Sequence, residues 1–260
     1  MDFPKQKIIQ RFSESAHRYN DTAVIQKETA ERLARALQPW QYSIPEGPVL
    51  ELGAGTGLLS DHLINMYPNR ELIITDGSDK MLQINREKNL NQSNLQFKIL
   101  DVEQAEWEEE KYALITANFL LHWLKHPAEE VAKMLPSLKP GGLLLMSFPG
   151  YDSFPQWRKN CLDLGLPFTA NPLPDLEEVV IKLSMGPVKV DYYEDQTNLE
   201  YPSVYEFYRE LKQSGSGTSV SGKMLSPKQL RLLENYWREK NNGKINVHYH
   251  TAFIAVKRDL

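Results

Sequence analysis

Cysteine is nearly absent from this 260-residue chain, Cys161 being the single one. That excludes an internal disulfide and leaves a thiolate metal cluster without ligands, so no metal site is expected and the reducing cytoplasm is the natural compartment. Cys161 itself is expected to be a buried packing residue. Long hydrophobic runs are also missing. The longest, around Leu143-Leu144-Leu145-Met146, falls far short of the ~20 residues a membrane span requires. The opening residues Met1-Asp2-Phe3-Pro4-Lys5-Gln6-Lys7 carry no apolar core long enough for a signal peptide. Neither secretion nor membrane insertion is therefore expected. Concentrated positive charge is lacking too: the net charge is −4, with Lys and Arg scattered, which argues against a nucleic-acid partner. What remains, 41% hydrophobic and 25% charged, is the composition of an ordinary globular protein. One domain with an elaboration suits this length better than two full domains.

The stretch that organises the chain is Val49-Leu50-Glu51-Leu52-Gly53-Ala54-Gly55-Thr56-Gly57. A short apolar run ends in an acid, glycine recurs at alternate positions, and a helical pattern starts at Leu58. This reads as buried strand, tight turn and helix start. Glycine accepts positive φ and lets a ligand approach the backbone closely. A dinucleotide fingerprint would need its third glycine at position 58, where this chain has Leu58. The phosphate loop ending in Gly-Lys-Ser/Thr is absent as well.

Two further acids narrow the ligand. Glu71-Leu72-Ile73-Ile74-Thr75-Asp76 is a second short strand, and its carboxylate lies about 20 residues past the glycines, the spacing at which an acid meets ribose hydroxyls. The competing reading of Asp76 is a helix cap in the turn Asp76-Gly77-Ser78-Asp79. A third strand, Leu95 to Leu100, ends at Asp101. Glu51, Asp76 and Asp101 thus fall at consecutive strand ends along one edge of a sheet, where ligands bind in such folds.

Taken in order, residues 7–37 are helical in pattern, with a break near Asn20-Asp21. This segment lies outside the minimal sheet core, so it packs on the back or folds over the ligand as a lid. From Val49 to Phe148 strands (49–52, 71–75, 94–100, 112–117, 142–148) alternate with helices (58–66, 79–89, 128–136). That alternation is a doubly wound α/β sheet. The acidic run 103–110 reads as a solvated loop. Strand four ends in Asn118, followed by Phe119 to Trp123, which puts an amide and an aromatic wall beside the ligand; His122 reads more readily as a packed side chain than as a catalyst. Helical segments follow within 150–186 and 200–243, and two last strands run from Val188 to Gln196 and from Ile245 to Val256, making seven. The material inserted between them is the place for a substrate cap. Ser214 to Gly222 reads as a flexible surface loop or a gate.

The pattern Glu51-x-Gly53-x-Gly55-x-Gly57 resembles the first motif of class I S-adenosylmethionine-dependent methyltransferases. Several further phrases narrow the resemblance: Arg11-Phe12-Ser13…Ala16…Tyr19…Ala23…Gln26, Asn118…Trp123-Leu124, Phe154…Trp157, Tyr205…Leu211-Lys212-x-x-Gly215 and Leu225-Ser226-Pro227 through Tyr236. Together with the glycine motif these are similar to the malonyl-acyl-carrier-protein O-methyltransferases of biotin synthesis, over nearly the whole chain. Ala54 stands where related chains often carry cysteine, and Gly165 to Pro174 has no counterpart we can match.

The resemblance implies a mostly parallel seven-stranded, Rossmann-like sheet closed by an antiparallel pair. One domain spans 1–260, with a helical lid at 1–37, a cofactor core at 49–148 and substrate caps at 150–186 and 200–243. It implies S-adenosyl-L-methionine as cofactor, held by Glu51, Gly53, Gly55, Gly57, Asp76, Asp101 and Asn118. The methyl acceptor would be the free carboxylate of a malonyl thioester on acyl carrier protein or on coenzyme A. A malonyl carboxylate is ionised at pH 7, its pKa being roughly 3–4, so positioning matters more than a base. Tyr19 would reach the reacting groups, and Arg209 or Lys212, with Arg158 behind them, would hold the carboxylate. Lys223, Lys228 and Arg231 would form a basic rim for the acidic carrier. The alternatives are another small-molecule carboxyl or hydroxyl methyltransferase, or a non-catalytic partner protein of the same fold.

Overall fold

The computed structural model describes residues 5–213 and 224–259; the loop Ser214 to Gly222 and Lys223 lie outside the described residues. Three helices lead: α1 (Lys5–Ser15), α2 (Tyr19–Thr22) and α3 (Val24–Leu37), with a 3₁₀ turn at Ala16–Arg18. The break before α3 falls at Ala23 (φ −84°, ψ 54°) rather than at Asn20-Asp21. Then come β1 (Val49–Leu52), α4 (Ser60–Met66), β2 (Leu72–Asp76), α5 (Asp79–Lys88), β3 (Leu95–Ile99), β4 (Tyr112–Asn118), α6 (Pro127–Met134) and β5 (Leu138–Pro149). After β5 follow α7 (Pro155–Asp163), α8 (Leu176–Leu183), β6 (Val188–Tyr201), α9 (Val204–Gln213), α10 (Pro227–Lys240) and β7 (Ile245–Arg258).

The seven strands form one sheet in the order β3-β2-β1-β4-β5-β7-β6. Strands β1 to β5 pair in parallel, while β7 runs antiparallel between β5 and β6. Alternation of side chains dictates the layers. Val49, Leu72, Ile74, Leu114, Leu143 and Leu145 face α3 and α4 on one side. Leu50, Ile73, Ile115, Leu144 and Met146 face α6 and α8 on the other. Both faces are therefore covered, as a parallel sheet requires. The Lys139-Pro140-Gly141-Gly142 turn interrupts β5, so Tyr112 pairs with Leu138 but Leu114 with Leu143.

Strands β6 and β7 are each 14 residues long and pair from Val188–Arg258 to Tyr201–Ile245. This length carries the hairpin past the sheet. On its far end a third core gathers Tyr201, Ile245, Val247 and Tyr249 with Trp157 of α7, Phe207 of α9, Leu233 and Trp237 of α10, and Ile25 of α3. Cys161 is fully buried in the same cluster, as expected of a packing residue. The capping box at Ser226, with Gln229 reciprocating, starts α10.

Candidate active site

The glycine turn between β1 and α4 holds Gly53, Gly55 and Gly57 at φ +62°, +56° and +97°. Their duties differ. A Cβ on Gly55 would meet nothing within 4 Å, because this residue borders a cavity. A Cβ on Gly57 would lie 2.7 Å from the Asn85 carboxamide. Gly57 thus lets α5 pack against the turn, and its neighbours form a buried chain beneath it. Asn85 Nδ2 donates to Ser60 Oγ at 2.7 Å, and that hydroxyl donates to Glu51 Oε2 at 2.6 Å. Glu51 and Gly57 therefore support the turn from below; neither lines the cavity. Burial, reinforced by Asp61 and Asp76, pushes the Glu51 carboxyl up to about 8 against the opposing bond from Ser60.

The remaining expected cofactor residues do converge. Gly53, Gly55, Asp76, Asp101 and Asn118 border one cavity, which encloses about 920 Å³ of empty space including its mouth. Asp76 stitches two turns together, taking the Gly55 N–H at 2.9 Å and the Ser78 N–H at 2.7 Å. Burial raises its pKa against those two bonds. Asp101 receives the Glu103 N–H at 3.1 Å, the Gln104 carboxamide at 2.8 Å, and the Lys5 ammonium. Lys5 also pairs with Glu103, in the acidic run to which the sequence assigned no chemistry. Asn118 donates to the Gln26 carbonyl at 2.9 Å and accepts from Ser147 Oγ at 2.8 Å.

Of the leading helices, α1 and α2 close this cavity, while α3 reaches it at Gln26 and packs its apolar side on one face of the sheet. Ile8, Ile9, Phe12 and Tyr19 line it from above. Phe12 meets Trp123 edge-to-face at 5.3 Å and Tyr19 at 6.3 Å. Ser13 and Ser78 hydroxyls lie 2.7 Å apart, and Thr56 donates to Asn20 at 2.5 Å. Burial, and then the nearby Asp76 charge, hold the Tyr19 phenol well above its ordinary pKa, so it stays protonated. On the opposite wall Phe119 adopts φ +57°, a costly conformation for a non-glycine residue and one that gathers at functional sites. His122 packs against Trp123 with ring centroids 4.6 Å apart and planes tilted by 44°; its Nδ1 is shielded and has no partner among the described residues. Burial drives its pKa down to about 3.

Arg209 and Lys212 are not brought to this cavity. Both belong to α9, where Arg209 pairs with Glu206 one turn earlier and borders a separate groove with Asp21, Glu200 and Glu210; Lys212 is exposed. Arg158 stacks over Tyr151 and Phe168, each at 5.0 Å.

The donor set suits an adenosyl sulfonium. Acids bordering the cavity would repel a pyrophosphate, whereas their spare lone pairs accept hydroxyl and amino hydrogens and their charge favours a cation. Gly55 leaves its backbone open to close approach. Residues 50–144 match the family model described as a methyltransferase domain. Strand order and glycine turn are those of the class I methyltransferase fold, and the matched residues 50–144 span β1 to β5. Within that class, the chain is 28% identical over 251 residues to a malonyl-[acyl-carrier protein] O-methyltransferase of Halalkalibacterium halodurans, covering 92% of this chain and 93% of the relative. It is 27% identical to malonyl-[acyl-carrier protein] O-methyltransferase 2 of Ilyobacter polytropus, covering 98% of each. Among solved structures, the YcgJ protein of Bacillus subtilis superimposes with TM-score 0.63 at 14% identity, over 88% of this chain and 99% of that one, a likeness of fold.

Proposed function

We propose that the chain transfers a methyl group from S-adenosylmethionine to the free carboxylate of a malonyl thioester on acyl carrier protein, masking that charge so that the ester can prime a biotin-precursor chain. The observation that carries the reading is the lack of a usable base among the described residues of the cavity. His122, with its pKa near 3, holds a proton too weakly. Tyr19 keeps its own, both Asp76 oxygens are engaged by backbone N–H groups, and both Asp101 oxygens are engaged by the Glu103 N–H, the Gln104 carboxamide and the Lys5 ammonium. A hydroxyl or amine acceptor would need deprotonation. A carboxylate arrives as an anion and needs none. The similarity to malonyl-[acyl-carrier protein] O-methyltransferases runs the length of both chains and supports the same acceptor.

When bound, the cofactor would supply an electrophilic methyl carbon to an acceptor carboxylate oxygen, with its sulfonium sulfur as the leaving group and no proton transfer required. The protein's share is placement and dryness. Gly53 and Gly55 would present backbone, Asp76 and Asp101 would accept from the ribose and adenine, and α1 and α2 act as a lid whose Ile8, Ile9 and Phe12 exclude water. Such positioning supplies ~7–11 kcal/mol in favourable systems. Among the described residues no helix is long and apolar enough to cross a membrane, which suits a cytoplasmic carrier as partner.

Incubation with labelled S-adenosylmethionine and either malonyl-carrier or malonyl-coenzyme A tests the reading. A base-labile methyl ester on the malonyl group is expected. Cofactor binding with label appearing only on hydroxyl or amine acceptors would refute it.

A further inference from the structure

The polar inventory of the cavity raises a question of charge. Lys5 is the one cationic side chain among the described residues that line it, and it is committed to Asp101 and Glu103. His122 is neutral there, and Arg209 belongs to another groove and to Glu206. An anionic acceptor entering this space therefore meets no free fixed cation.

Two neutral groups are available instead. Tyr19, from α2, and Gln26, from the first turn of α3, both border the cavity. The backbone of Gln26 is tied to the tip of β4 by the Asn118 carboxamide at 2.9 Å, which fixes where its side chain starts. Among the described residues neither the Tyr19 hydroxyl nor the Gln26 carboxamide makes a side-chain hydrogen bond, whereas the carboxamide of Asn118, between them in the site, is engaged at both ends. We propose that Tyr19 and Gln26 are the carboxylate-recognition pair: the acceptor is held by two neutral hydrogen-bond donors, and no lysine or arginine is its partner. This rests on the carboxyl-methylation reading above and deepens it.

The chemistry favours such a choice. Methyl transfer to a carboxylate removes one negative charge from the acceptor and one positive charge from the donor, so the acceptor oxygen is most anionic in the ground state. A fixed cation against that oxygen would stabilise the ground state more than the transition state and raise the barrier. Neutral donors orient the oxygen while leaving the sulfonium as its main electrostatic partner, in a water-poor cavity where that attraction is strong.

The test is calorimetry of malonyl-carrier binding to the S-adenosylhomocysteine complex, alongside kcat and KM, for Tyr19→Phe, Gln26→Leu and Gln26→Glu. Tyr19→Phe and Gln26→Leu are expected to weaken carrier binding about 10-fold each, the worth of one neutral hydrogen bond. Gln26→Glu, which places a like charge beside the acceptor, should abolish it. S-adenosylhomocysteine affinity should stay within about two-fold in all three. A parallel loss of S-adenosylhomocysteine affinity would instead make these residues cofactor ligands and overturn the assignment. So would loss of carrier binding in Arg209→Ala, Lys212→Ala or Arg158→Ala with Tyr19→Phe and Gln26→Leu unaffected. If the unaltered protein binds S-adenosylhomocysteine but never esterifies malonyl-carrier, the functional reading falls and this assignment with it; esterification that survives Gln26→Glu removes the assignment alone.

Discussion

Glu51 carries its proton at neutral pH because it is buried, faces Asp61 and Asp76, and has a single hydroxyl donor, Ser60, to offset the loss of water. The consequence has a definite sign. In the unfolded chain the carboxyl ionises near 4.5, and in the folded chain near 8. The folded state therefore binds the extra proton between those values. Its contribution to stability is complete below about pH 4.5 and is lost as pH rises towards 8, a change on the order of a few kcal/mol. Denaturant melts of the wild type and of Glu51→Gln should show the difference directly: the wild type loses stability relative to the variant between pH 5 and 8. Parallel curves would mean that Glu51 is ionised in the fold. At this scale the sequence was legible in part. An acid at the end of a strand before a glycine turn is visible, and so is its class. Its surroundings are not, since Ser60 of α4 bonds it and is in turn held by Asn85 of α5, a different helix. For the same reason Gly57, visible as one of three equivalent glycines, proves to serve helix packing while Gly55 borders the cavity.

At the scale of elements, seven strands and their helices were legible because period-two and period-3.6 patterns are strong in buried segments. What the pattern could not say is which cavity an apolar stripe faces. Ile8, Ile9 and Phe12 of α1 look like any half-buried helix face, yet they roof the site, and the helix is latched by Lys5 on Asp101 and Glu103 and by Ser13 on Ser78. Such a helix, with Ile8 its one fully buried side chain, sits at the low end of local stability and should be ordered further by what it covers. Hydrogen exchange is expected to slow across residues 5–15 when S-adenosylhomocysteine is added, while the strands change little. Phe12→Ala removes the edge-to-face contacts to Trp123 and Tyr19. It should raise the S-adenosylhomocysteine dissociation constant about 10-fold, or ~1.4 kcal/mol. Exchange in α1 that is indifferent to ligand would deny the helix its covering role. Arg209 and Lys212 illustrate the opposite limit: cations on an amphipathic helix are easy to find in a sequence, but only the fold shows that α9 turns them to another groove and to solvent.

For the whole molecule the proposed acceptor poses the question of how a chain of net charge −4 would attract an acidic carrier. A uniform field would repel it, so any attraction must be local. The helical cap on the extended β6–β7 hairpin is built around an aromatic core and turns polar residues of α10 outward, among them exposed Lys228 and Arg231; Lys223 lies outside the described residues. Exposed cations of this kind act over about 8–10 Å at physiological salt and chiefly govern encounter. Raising ionic strength from about 50 to 300 mM contracts that range further. The KM for malonyl-carrier should therefore rise several-fold, while the KM for a small malonyl thioester, which has no protein surface to steer, should hold within about two-fold. The double variant Lys228→Glu/Arg231→Glu should reproduce the high-salt KM at low salt and flatten the remaining dependence, with cofactor affinity untouched. Should the carrier KM ignore both salt and charge reversal, docking would have to rest on the thioester arm alone, and the cap would serve as a wall of the site rather than as a surface for the partner.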